Sequence, residues 1–269
     1  MRRPTKKKKS IKIFFLVLFS SLLIACTSTA PLTGRNQLKL VSDESLVARS
    51  VHSYNQLIQQ ARQQGKLANN TNNGRRLNMI GKRVASAVER YMYTNGMGDR
   101  VRYLNWEFNL IDSKEINAFA MPGGKIAFYS GIIPVLQTDA RIAFVMGHEI
   151  GHVIGGHHAE GYSNQQLAGL ATTLTNVMVG GAASSLVSDG LSLGLLKFNR
   201  TQEYEADKYG MIFMAMAGYN PAEAIQAEAR MAALSENSGS DFLSTHPAND
   251  KRIAALKAFL PEAMKYYQK

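Results

Sequence analysis

The chain has 269 residues, 45% of them hydrophobic, enough for one large domain or two small ones with a substantial core. Its formal net charge is +11, but seven of its 31 basic residues (Arg2, Arg3, Lys6, Lys7, Lys8, Lys9 and Lys12) fall before residue 13, and no acidic residue precedes Asp43. Past that leader 24 basic residues face 20 acidic ones, a balance of +4, and no basic patch interleaved with aromatics stands out, which argues against nucleic acid as a partner.

Residues 1–25 read as a secretory signal peptide: a basic start, an apolar run over 13–24 too short for a comfortable membrane span, and a small Ala25. Leu23, Ile24, Ala25 and Cys26 resemble a bacterial lipobox, so Cys26 is the expected lipidation site. As the chain's single cysteine it leaves no intramolecular disulfide and no cysteine-ligated zinc site. In a Gram-negative lipoprotein a residue other than Asp after the cysteine implies sorting to the outer membrane, and Thr27 fits that. Residues 26–41, with Pro31 and Gly34, are expected to be a lipidated start and polar tether, and 42–269 the folded domain.

Ser42, Asp43 and Glu44 mark a helix start, and the helix is expected to run to about Gln64 and stop at Gly65. His52 lies on it as a surface or packing residue. A second helix is expected over 75–94, with Leu77, Ile80, Val84, Val88 and Tyr91 at helical spacing. Residues 101–112 alternate around Trp106 and Phe108 and read as a strand; 117–121 and 125–130 read as two more, joined by Pro122, Gly123 and Gly124. Such a sheet either offers an edge to an extended peptide or simply closes the core.

The next helix is expected to start near Thr138 and Asp139. It carries HExxH as His148, Glu149 and His152, which places both imidazoles on one face with Glu149 about 100° round from His148. Two such imidazoles can bind one metal ion, and the glutamate can handle a water bound to it. Gly147, Gly151 and Gly155 recur every four residues and point to close packing of another backbone. If the helix continues, His157 and His158 fall off the metal face, so neither is read as a ligand. Residues 167–196 are small and apolar, a poor membrane span, and read as a buried helix followed by a flexible loop able to cover a site.

A catalytic zinc needs a third protein ligand and an open position. Glu203 and Asp207, again four apart, supply a carboxylate ligand and a carboxylate able to hold the outer nitrogen of a zinc histidine. His246, between two helices, can hydrogen-bond a developing oxyanion, occupy the open zinc position in a resting form, or merely cap its loop. A last helix is expected over 249–259.

These residues, with Asn117, Ala118 and Phe119 before the Pro-Gly-Gly turn, Ala206 beside Asp207, and Thr245, His246 and Pro247, resemble the zinc metallopeptidase family of the CAAX prenyl proteases, HtpX and the Oma-type proteases. Pro31, Leu32, Thr33, Gly34 and Arg35 are typical of its bacterial lipoprotein, LoiP-like branch; Asn199 departs from the serine common there. The resemblance implies an α+β, mostly helical gluzincin-type fold with a small β-sheet beside the HExxH helix. It further implies one Zn2+ per chain on His148, His152 and Glu203, and Glu149 as catalytic base. The expected function is a zinc endopeptidase, lipid-anchored at the outer membrane facing the periplasm and acting on unfolded or misassembled envelope proteins in quality control. The alternatives are an envelope chaperone with a latent protease site and a zinc hydrolase of another bond, such as a cell-wall amide.

Overall fold

The computed structural model describes residues 27–178, 196–235, 241–247 and 250–267. The leader, Cys26 and residues 179–195 of the small apolar segment lie outside the described residues. The chain is mostly helical around one small sheet.

Residues 27–38, expected to be a tether, instead form an antiparallel hairpin, β1 (Thr27–Thr29) and β2 (Asn36–Leu38), with Thr27 opposite Leu38. Gly34, at φ +67°, and the Ala30–Arg35 hydrogen bond of 2.8 Å close its turn. The hairpin is held because its polar side chains find partners on the helical body: Gln37 is buried, and its Nε2 donates to the Gly155 carbonyl at 2.7 Å.

Helix α1 (Asp43–Gln63) starts where Ser42 accepts from the Ser45 amide, and stops at Gly65 (φ +69°), where the Lys66 amide donates to the Ala61 carbonyl. His52 is exposed on it. Helix α2 (Asn72–Thr94) is capped by Thr71 and buries Leu77, Ile80, Val84, Val88 and Tyr91. The strand expected over 101–112 is shorter: only β3 (Glu107–Ile111) is extended, because the ladder begins where the Glu107 amide meets the Gly124 carbonyl. Strands β4 (Ala118–Met121) and β5 (Lys125–Tyr129) are antiparallel about Gly123 and Gly124, both at positive φ. β3 joins β5 in parallel, so the order is β3-β5-β4 and β4 is an edge.

Helices cover both faces of this sheet, which is why 108–111 are buried without a polar side. Phe108, Leu110, Ile126 and Phe128 join the larger core with α2 and the later helices. Ile111, Phe119, Met121 and Ala127 join a smaller core with Leu46, Tyr54 and Ile58 of α1.

After the one-turn helix α3 (Ile133–Leu136) comes α4 (Asp139–Ile154), capped by Thr138 and buried from Ile142 onward. It ends at Gly155, and Gly156, at φ +70°, turns the chain into α5 (His157–Met178). α6 (Arg200–Met216) opens with a reciprocal capping box: Asn199 Oδ1 accepts from the Gln202 amide, and Gln202 Oε1 from the Asn199 amide. Asn199 thus caps the helix that carries Glu203. Helices α7 (Glu223–Ser235), α8 (Asp241–Thr245) and α9 (Asp250–Met264) follow; α9 continues past 259 through Pro261, burying Ala263. Among the described residues no helix is long and apolar enough to cross a membrane.

The seam that matters for function lies between α4 and α6. A Cβ on Gly147 would stand 3.0 Å from the Gly210 Cα, one on Gly151 2.9 Å from the Tyr209 Cβ, and one on Gly210 3.0 Å from the His148 amide nitrogen. Small residues on both helices let the backbones close to near contact, so side chains of one reach those of the other. Gly155 does something different from its two predecessors: a Cβ there would strike the His157 ring at 2.6 Å.

Candidate metal centre

His148 and His152, one turn apart on α4, both turn Nε2 to the seam, where the two nitrogens lie 3.1 Å apart. Glu203, in the first turn of α6, brings Oε2 to 3.6 Å from His148 Nε2 and Oε1 to 3.5 Å from His152 Nε2. His246, just after α8, adds Nδ1 at 3.3 Å from His148 Nε2 and 3.1 Å from Glu203 Oε1. One donor atom from each of these four residues fits within a span of 4.8 Å, and all four residues are buried.

This donor set fits zinc. Bonds of about 2.0–2.1 Å in a tetrahedron put donor atoms about 3.3–3.4 Å apart; five of the separations, 3.1 to 3.6 Å, straddle that value, within an overall span of 4.8 Å. Glu149 is equally buried, and its Oε1 accepts no hydrogen bond among the described residues. That carboxyl is aimed at the cluster, with the His246 Nε2 3.5 Å away.

The outer nitrogens are held as well. Asp207 Oδ1 lies 2.9 Å from His148 Nδ1. Asp207 is in turn gripped by the buried Arg252 of α9, Nε to Oδ2 at 2.9 Å and Nη2 to Oδ1 at 2.6 Å. Arg252 Nη1 also stands 3.1 Å from Glu203 Oε2 and 3.3 Å from Glu228 Oε1. The outer nitrogen of His152 meets His157: their Nδ1 atoms are 2.9 Å apart, and His157 Nε2 is 3.0 Å from Glu205 Oε2. Phe198 stacks on the His152 ring, centroids 3.8 Å apart.

His157 therefore does not face away from the site, although it is not among the four clustered donors. The expectation assumed a continuous helix, whereas the break at Gly155 and Gly156 folds it back. His158, likewise outside the donor cluster, donates from Nε2 to the Ala120 carbonyl at 3.0 Å, while the Ala120 amide donates to the Glu149 carboxyl. The edge strand β4 is thus tied to Glu149 of the HExxH motif through the Ala120 amide and to the first turn of α5 through the Ala120 carbonyl.

The electrostatics follow from burial and neighbours. Burial pushes Glu149 up, against the pull of His246 and His148. Burial also works against ionised Glu203, but His246, Arg252 and His148 outweigh it and hold this carboxyl below its usual range. His246 lies between two carboxylates, and Glu149 and Glu203 raise it despite burial. Burial, helped by the other histidines, drives His152 well down, and burial brings His158 to about 3. Neutral imidazole is the form a metal ligand requires.

The spacing of HExxH and of Glu203 and Asp207 made these residues candidates from sequence. Arg252, Glu228, His157 and Glu205 gave no such signal, except that the Gly155-Gly156 pair is a helix terminator that could have exposed the turn at His157.

The model of peptidase family M48 matches residues 76–260, which spans the sheet, the HExxH helix, Glu203 and His246. The mitochondrial metalloendopeptidase OMA1 of Schizosaccharomyces pombe is 34% identical over 189 residues, 67% of this chain and 53% of that protein. The metalloprotease LoiP of Escherichia coli is 31% identical over 168 residues, 61% of this chain and 66% of that protein. The beta-barrel assembly-enhancing protease of Escherichia coli is 29% identical over 184 residues, 60% of this chain and 37% of that protein. The matches span 34, 56 and 53% of the lengths of three OMA1 relatives. On a match covering most of its length, the chain belongs to peptidase family M48, the zinc metallopeptidases.

Proposed function

We propose that the protein is a zinc-dependent endopeptidase of the bacterial cell envelope, held at the outer membrane by lipid on Cys26 and cutting unfolded or misassembled envelope proteins. The observation that carries the chemistry is the buried set of His148, His152 and Glu203 on two clamped helices, with Glu149 directed at it. The envelope setting draws on the lipobox at Cys26 and on the name of one relative, a beta-barrel assembly-enhancing protease.

In this reading His148 and His152 present Nε2, and Glu203 a carboxylate oxygen, to one zinc ion. Bound there, zinc supplies Lewis acidity that acidifies a water and polarises the scissile carbonyl. Glu149 takes the proton from the attacking water and returns it to the leaving amine; a carboxyl pushed up by burial suits both roles better than an exposed one. Asp207 fixes His148 in the tautomer that leaves Nε2 free to bind. His246 has two places in the scheme: aligned with a developing oxyanion, or donating as a fourth ligand in a resting form.

The second of these favours a different reading, a client-binding assembly factor whose protease site is latent. Four donors within 4.8 Å leave less room for substrate than three. One experiment separates the readings: zinc content of the purified protein beside degradation of unfolded casein, in wild type, Glu149→Gln and His246→Ala. A protease gives one zinc per chain and chelator-sensitive cleavage lost in Glu149→Gln. Cleavage appearing only in His246→Ala points to latency. Undiminished cleavage by Glu149→Gln removes the assignment.

A further inference from the structure

The two histidines of the cluster are supported unequally. His148 has a carboxylate directly on its outer nitrogen, Asp207 Oδ1 at 2.9 Å. His152 has another imidazole there, and the carboxylate comes one residue later, at Glu205. What stands behind Glu205 is the N-terminal hairpin. Arg35, in the turn between β1 and β2, puts Nε 3.1 Å from Glu205 Oε1 and Nη2 2.9 Å from Oε2, and the Thr33 hydroxyl donates to Oε1. The same guanidinium meets both oxygens of Glu160, at 2.7 and 2.8 Å.

We infer that Arg35 is a positioning residue for His152, acting through Glu205 and His157, and that the hairpin carrying it is a working part of the metal centre. The inference rests on the zinc reading given above.

The argument is one of proton placement. Two Nδ1 atoms 2.9 Å apart need one proton between them. His152 must keep Nε2 unprotonated to bind metal, so its proton sits on Nδ1 and is donated to His157 Nδ1. His157 then carries its own proton on Nε2, which donates to Glu205 Oε2 at 3.0 Å. Each tautomer is set from outside by the next group, and the last acceptor is a carboxylate whose two oxygens are aimed by Arg35. A lysine cannot reproduce that, because a point charge does not fix both oxygens of a carboxylate. His157 and Glu205 are buried, so water does not readily replace either.

Glu160 provides the internal control. It also pairs with Arg35, and it takes further donations from Gln37 and Gln202, but among the described residues it hydrogen-bonds to no histidine ring of the centre. If Arg35 only pins the hairpin to the body, losing Glu160 and losing Glu205 should have similar effects. If the relay operates, only Glu205 matters to the metal.

The test uses the full chain in four forms besides wild type: Arg35→Met, Glu205→Gln, His157→Phe and Glu160→Gln. Zinc affinity is read by competition with a chromophoric chelator, the ligand field by the visible absorption of the cobalt-substituted protein, and folding by thermal melting in excess chelator. Arg35→Met, Glu205→Gln and His157→Phe should each weaken zinc by about 10–100-fold and shift the cobalt bands, the usual effect of removing an outer partner. Glu160→Gln should leave affinity within about 3-fold while its melting temperature falls like that of Glu205→Gln. Glu205→Gln, nearly isosteric, still decides the matter if Arg35→Met fails to fold. Equal affinities in wild type and Glu205→Gln, or equal losses in Glu160→Gln and Glu205→Gln, overturn the relay. A wild type without zinc overturns the reading beneath it instead, and is told apart by that first measurement.

Discussion

Arg252→Met removes the guanidinium buried among Asp207, Glu203 and Glu228 while keeping most of the side-chain volume. Glu228 is pushed by burial up to about 8, against the opposing pull of Arg252, so at neutral pH it counts as a protonated neighbour and not as a charge to be neutralised. That leaves Asp207, which loses a two-point grip, and Glu203, which loses a contact of 3.1 Å. Removing one partner of a buried ion pair costs about 3–5 kcal/mol, because the other is left charged in a poor solvent. At about 2–4 °C per kcal/mol for a domain of this size, melting should fall by about 6–20 °C. Urea unfolding followed through the single tryptophan, Trp106, measures it; excess chelator keeps metal binding out of the balance. The decisive variant is Arg252→Met with Asp207→Asn. If the penalty is a stranded charge, neutralising Asp207 in the Arg252→Met background recovers about 2 kcal/mol or more, although Asp207→Asn alone destabilises. A loss under about 1 kcal/mol in the single variant, or no recovery in the double, would refute this account.

Glu228 gives a pH prediction of definite sign. Its folded value lies above its unfolded value of 4.5, so the protein holds an extra proton when folded, and the stability this represents is complete below 4.5 and lost as pH rises through about 8. Glu228→Gln should gain on wild type by up to about 1.4 kcal/mol per pH unit across that window, and urea midpoints that stay parallel with pH would contradict it. Gly151→Ala would place a Cβ 2.9 Å from the Tyr209 Cβ and 3.1 Å from the Ala206 carbonyl oxygen, forcing α4 and α6 apart. It should cost about 1–3 kcal/mol despite better helix propensity and weaken zinc binding, as isothermal titration would register. Cys26→Ser should leave the precursor uncut and unlabelled by palmitate; normal maturation would remove the lipid anchor from the proposed function.

How much of this was legible in the sequence depended on how far apart the cooperating residues lie. His148 with His152, and Glu203 with Asp207, are pairs at one helical turn, and that spacing alone puts each pair on one face. Gly147 and Gly151 announced the close seam, though not that Gly210 would answer from the other helix. The helix boundaries at Ser42, Gly65 and Thr138 follow from capping chemistry carried in a few adjacent residues, whereas α2 starts at Asn72, before the expected 75, because Thr71 caps it. Arg252 was invisible: it lies 45 residues from Asp207, and an arginine on a helix reads as solvent-facing until a partner is seen. The three-residue strands β1 and β2 are too short for any periodicity, so Pro31 and Gly34 looked like a tether and not the turn of a docked hairpin. His157 was misplaced because extrapolating 3.6 residues per turn ignores the change of direction at Gly156.

The hairpin also bears on reach. Strand β1 takes up the chain at Thr27, so a lipid on Cys26 would leave no slack, and the body would ride directly on the bilayer, meeting only what comes within a side chain's length of it. Peeling residues 27–38 away would release about 40 Å of extended chain, but would pull Arg35 off Glu205. Reach and grip on the metal would then be alternatives. A disulfide engineered across β1 and β2 would fix the short-leash state, and zinc affinity unchanged by stretching the unlinked protein from its anchor would show that no such exchange exists.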